Sequence, residues 1–287
     1  MTADSTTIDT GTDTVVAEIL DGVGILTLNR PERRNALHPE MFDAVPVVLE
    51  RFADDADVGC VIITGAGAAF CAGGDVRDAP RTRAEGADGK RPSVAESAAR
   101  LVSDARMVRL LHEMPKVTIA ALPGAAVGAG FSIALSTDFR IAARSAKLIP
   151  GWGQLAFSGD FGGAWFLTKL VGPSRALQIL IEGTPVCADA ALAIGLVNKV
   201  VEDDEIRVEA LAWARSIAAG PTSAWARMKA NVADAQVLSL EAALPLEGER
   251  MVWSGLTDEH RAAARAWLEA AAAKKAAVKN QATKGSR

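Results

Sequence analysis

Histidine and cysteine are scarce in this chain. Three of its 287 residues are histidine, His38, His112 and His260, and none is paired at a ligand spacing. That argues against a histidine metal site or a Ser-His-Asp triad, which need imidazoles at set positions, and no metal is expected. The three cysteines, Cys60, Cys71 and Cys187, lie far apart and match neither a zinc nor a disulfide pattern. They read as inert core thiols in a reduced cytosol. A basic excess is missing as well. The formal net charge is −4, so nothing favours nucleic acid or an anionic membrane as a partner. The opening MTADSTTIDTGTDT lacks the basic and apolar regions of a signal peptide. It reads as a disordered lead-in over 1–13, and a cytoplasmic setting is expected. No self-similarity of 20–50 residues marks a solenoid.

What is present is apolar residue, at 49% of the chain. That suffices for one large domain, or one domain with an appendage. Apolar runs at 15–21 and 23–29, parted by Gly22, read as a β-hairpin. A charged loop, Arg30-Pro31-Glu32-Arg33-Arg34-Asn35, follows. Met41, Val45, Val48, Leu49 and Phe52 recur at helical spacing and predict a helix over 39–52, against which Pro46 counts. A buried strand is expected at 59–64, then a small-residue loop over 65–75 at a strand end, where α/β folds gather ligands. Residues 76–92 are polar and read as a mobile loop or lid. A helix is expected at 94–112 and a strand at 116–122.

The stretch 117–135 is almost wholly apolar and near membrane-spanning length. Pro123, Gly124, Gly128 and Gly130 interrupt it. A buried strand, a tight turn and a buried helix over 131–136 explain it better. Strands at 139–142, 147–149 and 196–201 and helices at 162–170, 174–181 and 188–194 complete a core over 14–202. Helices alone follow over 203–273, at about 204–219, 221–234, 238–253 and 257–275. The tail 274–287 is expected to fray.

Two glycine-rich turns, 72–74 and 128–130, each follow a buried strand. Free N–H groups at such turns can form an oxyanion hole, and small residues admit a carbonyl to the backbone. Packing turns are the equal alternative on spacing alone. A dinucleotide site is disfavoured: residues 124–130 have the wrong glycine spacing, and no P-loop lysine follows. Asp160 lies between glycines in Ser158-Gly159-Asp160-Phe161-Gly162-Gly163. It reads either as the N-cap of the next helix or as a carboxylate in an apolar pocket of Trp152, Leu155, Phe157 and Phe161. The second setting raises a carboxylate pKa toward the range of proton transfer.

At these residues the chain resembles the crotonase (enoyl-CoA hydratase/isomerase) superfamily. The matching motifs are Leu28-Asn29-Arg30-Pro31, Asn35-Ala36-Leu37, Thr64-Gly65, Phe70-Cys71-Ala72-Gly73-Gly74-Asp75, 125–130, Asp138, Gly162-Gly163, Leu170-Val171-Gly172 and Gly195-Leu196-Val197. The resemblance runs from about 15 to 201 and is weaker beyond. It implies an α/β fold with a β-β-α spiral core and a C-terminal helical region used for assembly as a homotrimer or a dimer of trimers. Trp213, Trp225, Trp253 and Trp267 suit either such an interface or the core of one chain. The substrate implied is an acyl-CoA, with no separate cofactor. The Gly74 and Ala129 N–H groups would hold its thioester oxygen. Arg33, Arg34, Ala36, Ala72 and Gly73 would contact the CoA portion.

Departures from the family pattern bear on the reaction. Hydratases of the family use two glutamates, and an ungapped placement puts Ser132 and Trp152 at those positions. Asp160, just before a Gly-Gly helix start and followed by Ala164-Trp165, resembles the Asp-dependent isomerases of the epoxyphenylacetyl-CoA isomerase type. A substrate pocket of Trp152, Phe157, Phe161 and Ser132 is expected. The resemblance therefore implies an enoyl-CoA isomerase with Asp160 as single acid/base. The alternatives are an enoyl-CoA hydratase of lipid or aromatic-acid degradation and a non-catalytic acyl-CoA binder. The eight-residue spacing of Trp152 and Asp160 also resembles the dehalogenase branch, but 103–107 lacks that branch's histidine.

Overall fold

The computed structural model describes residues 5–75 and 92–284, with side chains to residue 274. The expected loop at 76–92 lies, but for residue 92, outside the described residues. Two compact units divide between Ala219 and Gly220.

In the first unit a two-residue turn starts the sheet. Asp21 and Gly22 have φ of 50° and 78°, the left-handed pair that matches strand twist in a hairpin. It joins β2 (Val15–Leu20) to β3 (Val23–Leu28), with Val15 opposite Leu28. Ahead of them Ser5–Ile8 forms β1, antiparallel to β2. The lead-in expected to be disordered thus contributes an edge strand. Ile8 is buried there, and the ladder satisfies the open edge of β2.

The chain then becomes α/β. Strands β4 (Cys60–Gly65) and β5 (Val117–Leu122) run parallel to β3. Two short strands pair outside this sheet: β6 (Ala126–Val127) and β8 (Lys147–Ile149). Strand β7 (Phe139–Ala143) continues the main sheet beside β5. Strand β9 (Val186–Cys187) joins β8, and β10 (Lys199–Val201) closes the main sheet beside β7. The seven strands lie in the order β1-β2-β3-β4-β5-β7-β10. The inner ones read as continuous apolar runs because helices cover both faces.

Helix α1 (Pro39–Asp54) persists through Pro46. Its N-terminal Pro39 is pre-set for a helix start, and Met41, Val45, Val48, Leu49 and Phe52 are buried. The helix expected at 94–112 is two: α2 (Val94–Asp104) and α3 (Arg106–Glu113). They break at Ala105, whose ψ of 3° is outside the helical range. No proline or glycine marks this break. It lets Met107, Val108 and Leu111 enter the core, while α2 buries nothing. The apolar stretch at 117–135 resolves into β5, β6 and α4 (Ala129–Ser136), which is buried along its whole length. Helices α5 (Gly163–Val171), α6 (Pro173–Glu182) and α7 (Ala188–Ala193) follow. No described helix is long and apolar enough to cross a membrane.

Helix α8 (Ile206–Ala218), expected with the C-terminal helices, belongs to the first unit. Ile206, Ala210 and Ala214 are buried, and the Ala218 backbone packs against Gly59. Trp213 stacks on Phe139 at 5.2 Å between centroids, so it is intrachain core. Arg140 is fully buried and donates to the carbonyls of Leu196 (2.8 Å) and Thr137 (2.7 Å). Burial lowers its pKa to about 10, so it stays charged at neutral pH. Cys60 and Cys71 are core thiols, and burial pushes Cys71 up to about 12. Cys187, expected to be buried, is exposed: it stands at the N-cap position of the short helix α7, and its side chain makes no cap bond there.

The second unit consists of α9 (Thr222–Ala235), α10 (Leu240–Gly255) and α11 (Asp258–Lys284). Arg250 bridges α10 to Asp234 and Asn231 of α9. Trp253 and Trp267 are exposed and Trp225 is half-buried. Helix α11 continues past Lys274, where fraying was expected; its Ala- and Lys-rich composition favours helix strongly.

Candidate active site

Asn35 organises the first half of the site. It is fully buried with φ of 56°. Its Oδ1 accepts from the Arg30 N–H, and its Nδ2 donates to Ala66 and Ala69 carbonyls at 2.9 and 2.8 Å. One side chain therefore ties the 30–35 loop to the loop after β4. The same two loops are stitched by Ala72 N–H to Arg34 O and Leu37 N–H to Gly73 O. Arg34, Ala36, Ala72 and Gly73, expected to meet CoA, are thus brought together by backbone bonds. The Arg33 and Arg34 side chains are exposed. Arg30, in the charged loop, pairs with Asp75 at 3.4 Å, both largely buried.

The second stitch joins the two glycine-rich turns. Phe70 and Cys71 N–H groups donate to Ala125 O, and Val127 N–H donates to Cys71 O at 2.9 Å. Gly73 sits at φ 81°, and a Cβ there would lie 2.7 Å from Val127 O and 3.4 Å from Ala129 N. Only glycine lets the first turn approach this close. Neither the Gly74 N–H nor the Ala129 N–H has an acceptor among the described residues. Ala129 is the first residue of α4, where helical geometry leaves the donor free and the helix dipole adds positive character. Two amides without an acceptor among the described residues, on neighbouring, mutually braced turns, can hold one oxygen.

Asp160 lies in the loop before α5. The N-cap of α5 is Gly162, which receives no side-chain cap, so the Asp160 carboxylate does not serve as a cap. Its Oδ1 accepts from Trp152 Nε1 at 3.1 Å. Burial raises its pKa and the Trp152 bond opposes part of that rise. Trp152 is itself buried, edge-on to Phe131 of α4 at 6.0 Å. Its Nε1 lies 3.9 Å from where a Cβ on Gly128 would stand, which sets the carboxylate close to the start of α4. The loop carries positive φ at Ala156, Gly159, Phe161 and Gly162. Two of these are not glycine, an unfavourable conformation that surrounding contacts must maintain.

Among the expected pocket residues, Trp152 and Phe161 are buried and Phe161 packs on Phe42 of α1 at 6.2 Å. Leu155 and Phe157 are about half exposed instead of lining an apolar pocket, because the short 3-10 turn over Gly153–Leu155 runs on the surface. Ser132 is fully buried, and its hydroxyl donates to the Asp160 carbonyl at 3.0 Å. Nothing local in the sequence marks the linking role of Asn35, a buried, left-handed asparagine. Among the described residues no group of three His, Cys, Asp or Glu could hold a metal ion.

A family model described as enoyl-CoA hydratase/isomerase matches residues 18–275. The chain is 34% identical to a 1,2-epoxyphenylacetyl-CoA isomerase of Escherichia coli K12, over 88% of this chain and 95% of that one. It is 31% identical to a short-chain-enoyl-CoA hydratase of Clostridium acetobutylicum, over 89% and 94%. It superposes, with a TM-score of 0.76 and 29% identity, on a Thermobifida fusca YX protein of the enoyl-CoA hydratase type solved with CoA, over 85% and 93%.

Proposed function

The chain belongs to the enoyl-CoA hydratase/isomerase family, and from that membership we propose that it moves a double bond within an acyl-CoA, with Asp160 as the single acid/base. The observation that carries this reading is the half-buried Asp160 carboxylate beside the start of α4. It has a raised pKa and a Trp152 donor, and it is free of any capping role.

The substrate thioester oxygen accepts from the Gly74 and Ala129 N–H groups. The Asp160 carboxylate removes a carbon-bound proton next to the double bond, and the electron pair delocalises into the thioester as an enolate. The two amides bind the developing negative charge more strongly than the neutral carbonyl, which is worth about 3–4 kcal/mol of barrier per donor. Protonated Asp160 then returns the proton at the far end of the delocalised system. No water is consumed. A carboxyl pKa above its usual range brings the base closer to neutral pH, where both transfers are feasible. Ser132 and Trp152 carry no second carboxylate, which supports isomerisation over hydration.

Arg33, Arg34, Ala36, Ala72 and Gly73 are proposed to meet the CoA portion, with the exposed arginines facing its phosphates. The relative solved with CoA supports that class of ligand. Phe161 and Trp152 bound the acyl side. The exposed Trp253 and Trp267 support the proposal of assembly as a trimer or a dimer of trimers.

A second reading rests on the Trp152 bond. A tryptophan N–H that orients one carboxylate oxygen also suits a nucleophile. The absence of histidine at 103–107 weighs against it.

The test is incubation with a 3-enoyl-CoA and with a 2-enoyl-CoA in deuterated water, read by mass. A shifted double bond with deuterium and no added water is expected. A 3-hydroxyacyl-CoA product from either substrate refutes the isomerase reading.

A further inference from the structure

The Asp160 peptide is held by a group that the proton transfers do not use. Ser132 Oγ donates to the Asp160 carbonyl at 3.0 Å, and the Gly163 N–H donates to the same oxygen at 3.0 Å. Ser132 is fully buried on α4, one turn beyond Ala129, and its own N–H closes that turn on Gly128 O at 3.1 Å. A buried hydroxyl is costly unless bonded, so this contact is the reason a polar side chain is tolerated inside an apolar helix. Space is also tight here. A Cβ on Gly163 would stand 2.5 Å from Ser132 Oγ and 2.5 Å from Trp152 Cη2. Glycine at 163 thus lets α4, the Trp152 ring and the start of α5 meet at one point.

The two bonds on Asp160 restrain different motions. Trp152 Nε1 fixes the carboxylate about its own torsions. Ser132 fixes the peptide, and with it the position of Cα. Between Ala156 and Gly162 the backbone takes four positive φ values, so without a tether this segment relaxes readily. A base that serves both ends of a delocalised system must stay at a set distance from an oxygen bound at Gly74 and Ala129. Both the donor Ala129 and the tether Ser132 ride on α4.

We propose that Ser132 is a positioning residue: its hydroxyl ties the Asp160 peptide to the helix that presents the Ala129 N–H, so that base and oxyanion donor keep one spacing. This rests on reading Asp160 as the acid/base. A single hydroxyl–carbonyl bond contributes little to stability, but a displacement of the base by an ångström costs rate steeply.

Ser132→Ala is expected to lower kcat by about 10- to 100-fold with KM within about twofold of wild type. The thermal midpoint changes little. The acid limb of the pH–kcat profile moves down, because the loosened carboxylate gains water. Should Ser132→Ala not fold, Ser132→Cys, with similar volume and a weaker donor, carries the same expectation. Asp160→Asn is measured alongside. Wild-type turnover in Asp160→Asn overturns the acid/base reading itself. Loss of turnover in Asp160→Asn, with Ser132→Ala at wild-type kcat and an unmoved acid limb, overturns the positioning role alone. A raised KM at unchanged kcat in Ser132→Ala overturns it too, by assigning Ser132 to substrate binding.

Discussion

Replacing Trp152 with phenylalanine separates the two forces on the Asp160 carboxylate. Burial raises its pKa and the Trp152 N–H lowers it. Trp152→Phe removes the 3.1 Å bond and keeps an aromatic ring against Phe131. A hydrogen bond to a charged group contributes about 1.5–3 kcal/mol. Asp160 is partly open to solvent and water replaces some of the lost bond, so only part of that energy is felt and the pKa rises further. The acid limb of kcat/KM should move up. On the alkaline plateau kcat should fall by about tenfold, from lost orientation of the base. The assay is deuterium incorporation from solvent into an enoyl-CoA, followed from pH 4 to 9. A limb that stays in place, or moves down, would refute the claim that the indole N–H sets the protonation of this carboxylate.

Asp160→Asn should lower turnover by several orders of magnitude while acyl-CoA still raises the thermal midpoint; turnover within tenfold of wild type excludes Asp160 as the acid/base. The same variant tests pH linkage. The folded pKa of Asp160 is raised, so its protonation stabilises the fold below the unfolded carboxyl pKa, and that contribution is lost as pH rises through the folded value. Thermal melts of wild type relative to Asp160→Asn should therefore decline across that window, and a rise would contradict the shift. Gly73→Ala forces a left-handed Cβ to 2.7 Å from Val127 O. It should cost at least about 1–2 kcal/mol in denaturant titration and lower kcat by moving the Gly74 N–H. Arg140→Leu leaves the Leu196 and Thr137 carbonyls without their donor in the core, an expected loss of about 2–4 kcal/mol by chemical denaturation, and a loss under 0.5 kcal/mol refutes the bonded-cation reading.

Much of the fold was legible because its signals are local. The hairpin at Gly22, the buried strands β4 and β5 and the amphipathic face of α1 are each written within a few neighbouring residues. The break at Ala105 was not, because no proline or glycine marks it and the core demand of Met107 and Leu111 decides it. Nor was β1. Thr6 and Thr7 look like polar lead-in until the open edge of β2 gives them partners. Asp160 stood out as an isolated acid among glycines, yet cap and base were both open from sequence. The structure removes the cap: Gly162 is the cap position without a side-chain cap, and Trp152, eight residues before Asp160, bonds the carboxylate.

From sequence alone, local preferences and motif order determined the α/β class, the two glycine turns, the family and the absence of a second carboxylate at 132 and 152. Only the tertiary structure decided the rest. It brought the two turns together through Cys71 and Ala125–Val127, hung the 30–35 loop on buried Asn35, and tethered Asp160 to α4 through Ser132. Each of those contacts joins residues more than 25 positions apart. Such a bond has no periodicity and no composition. It exists because the sheet order and the burial of α4 close the chain on itself, leaving each buried polar group to find a partner there.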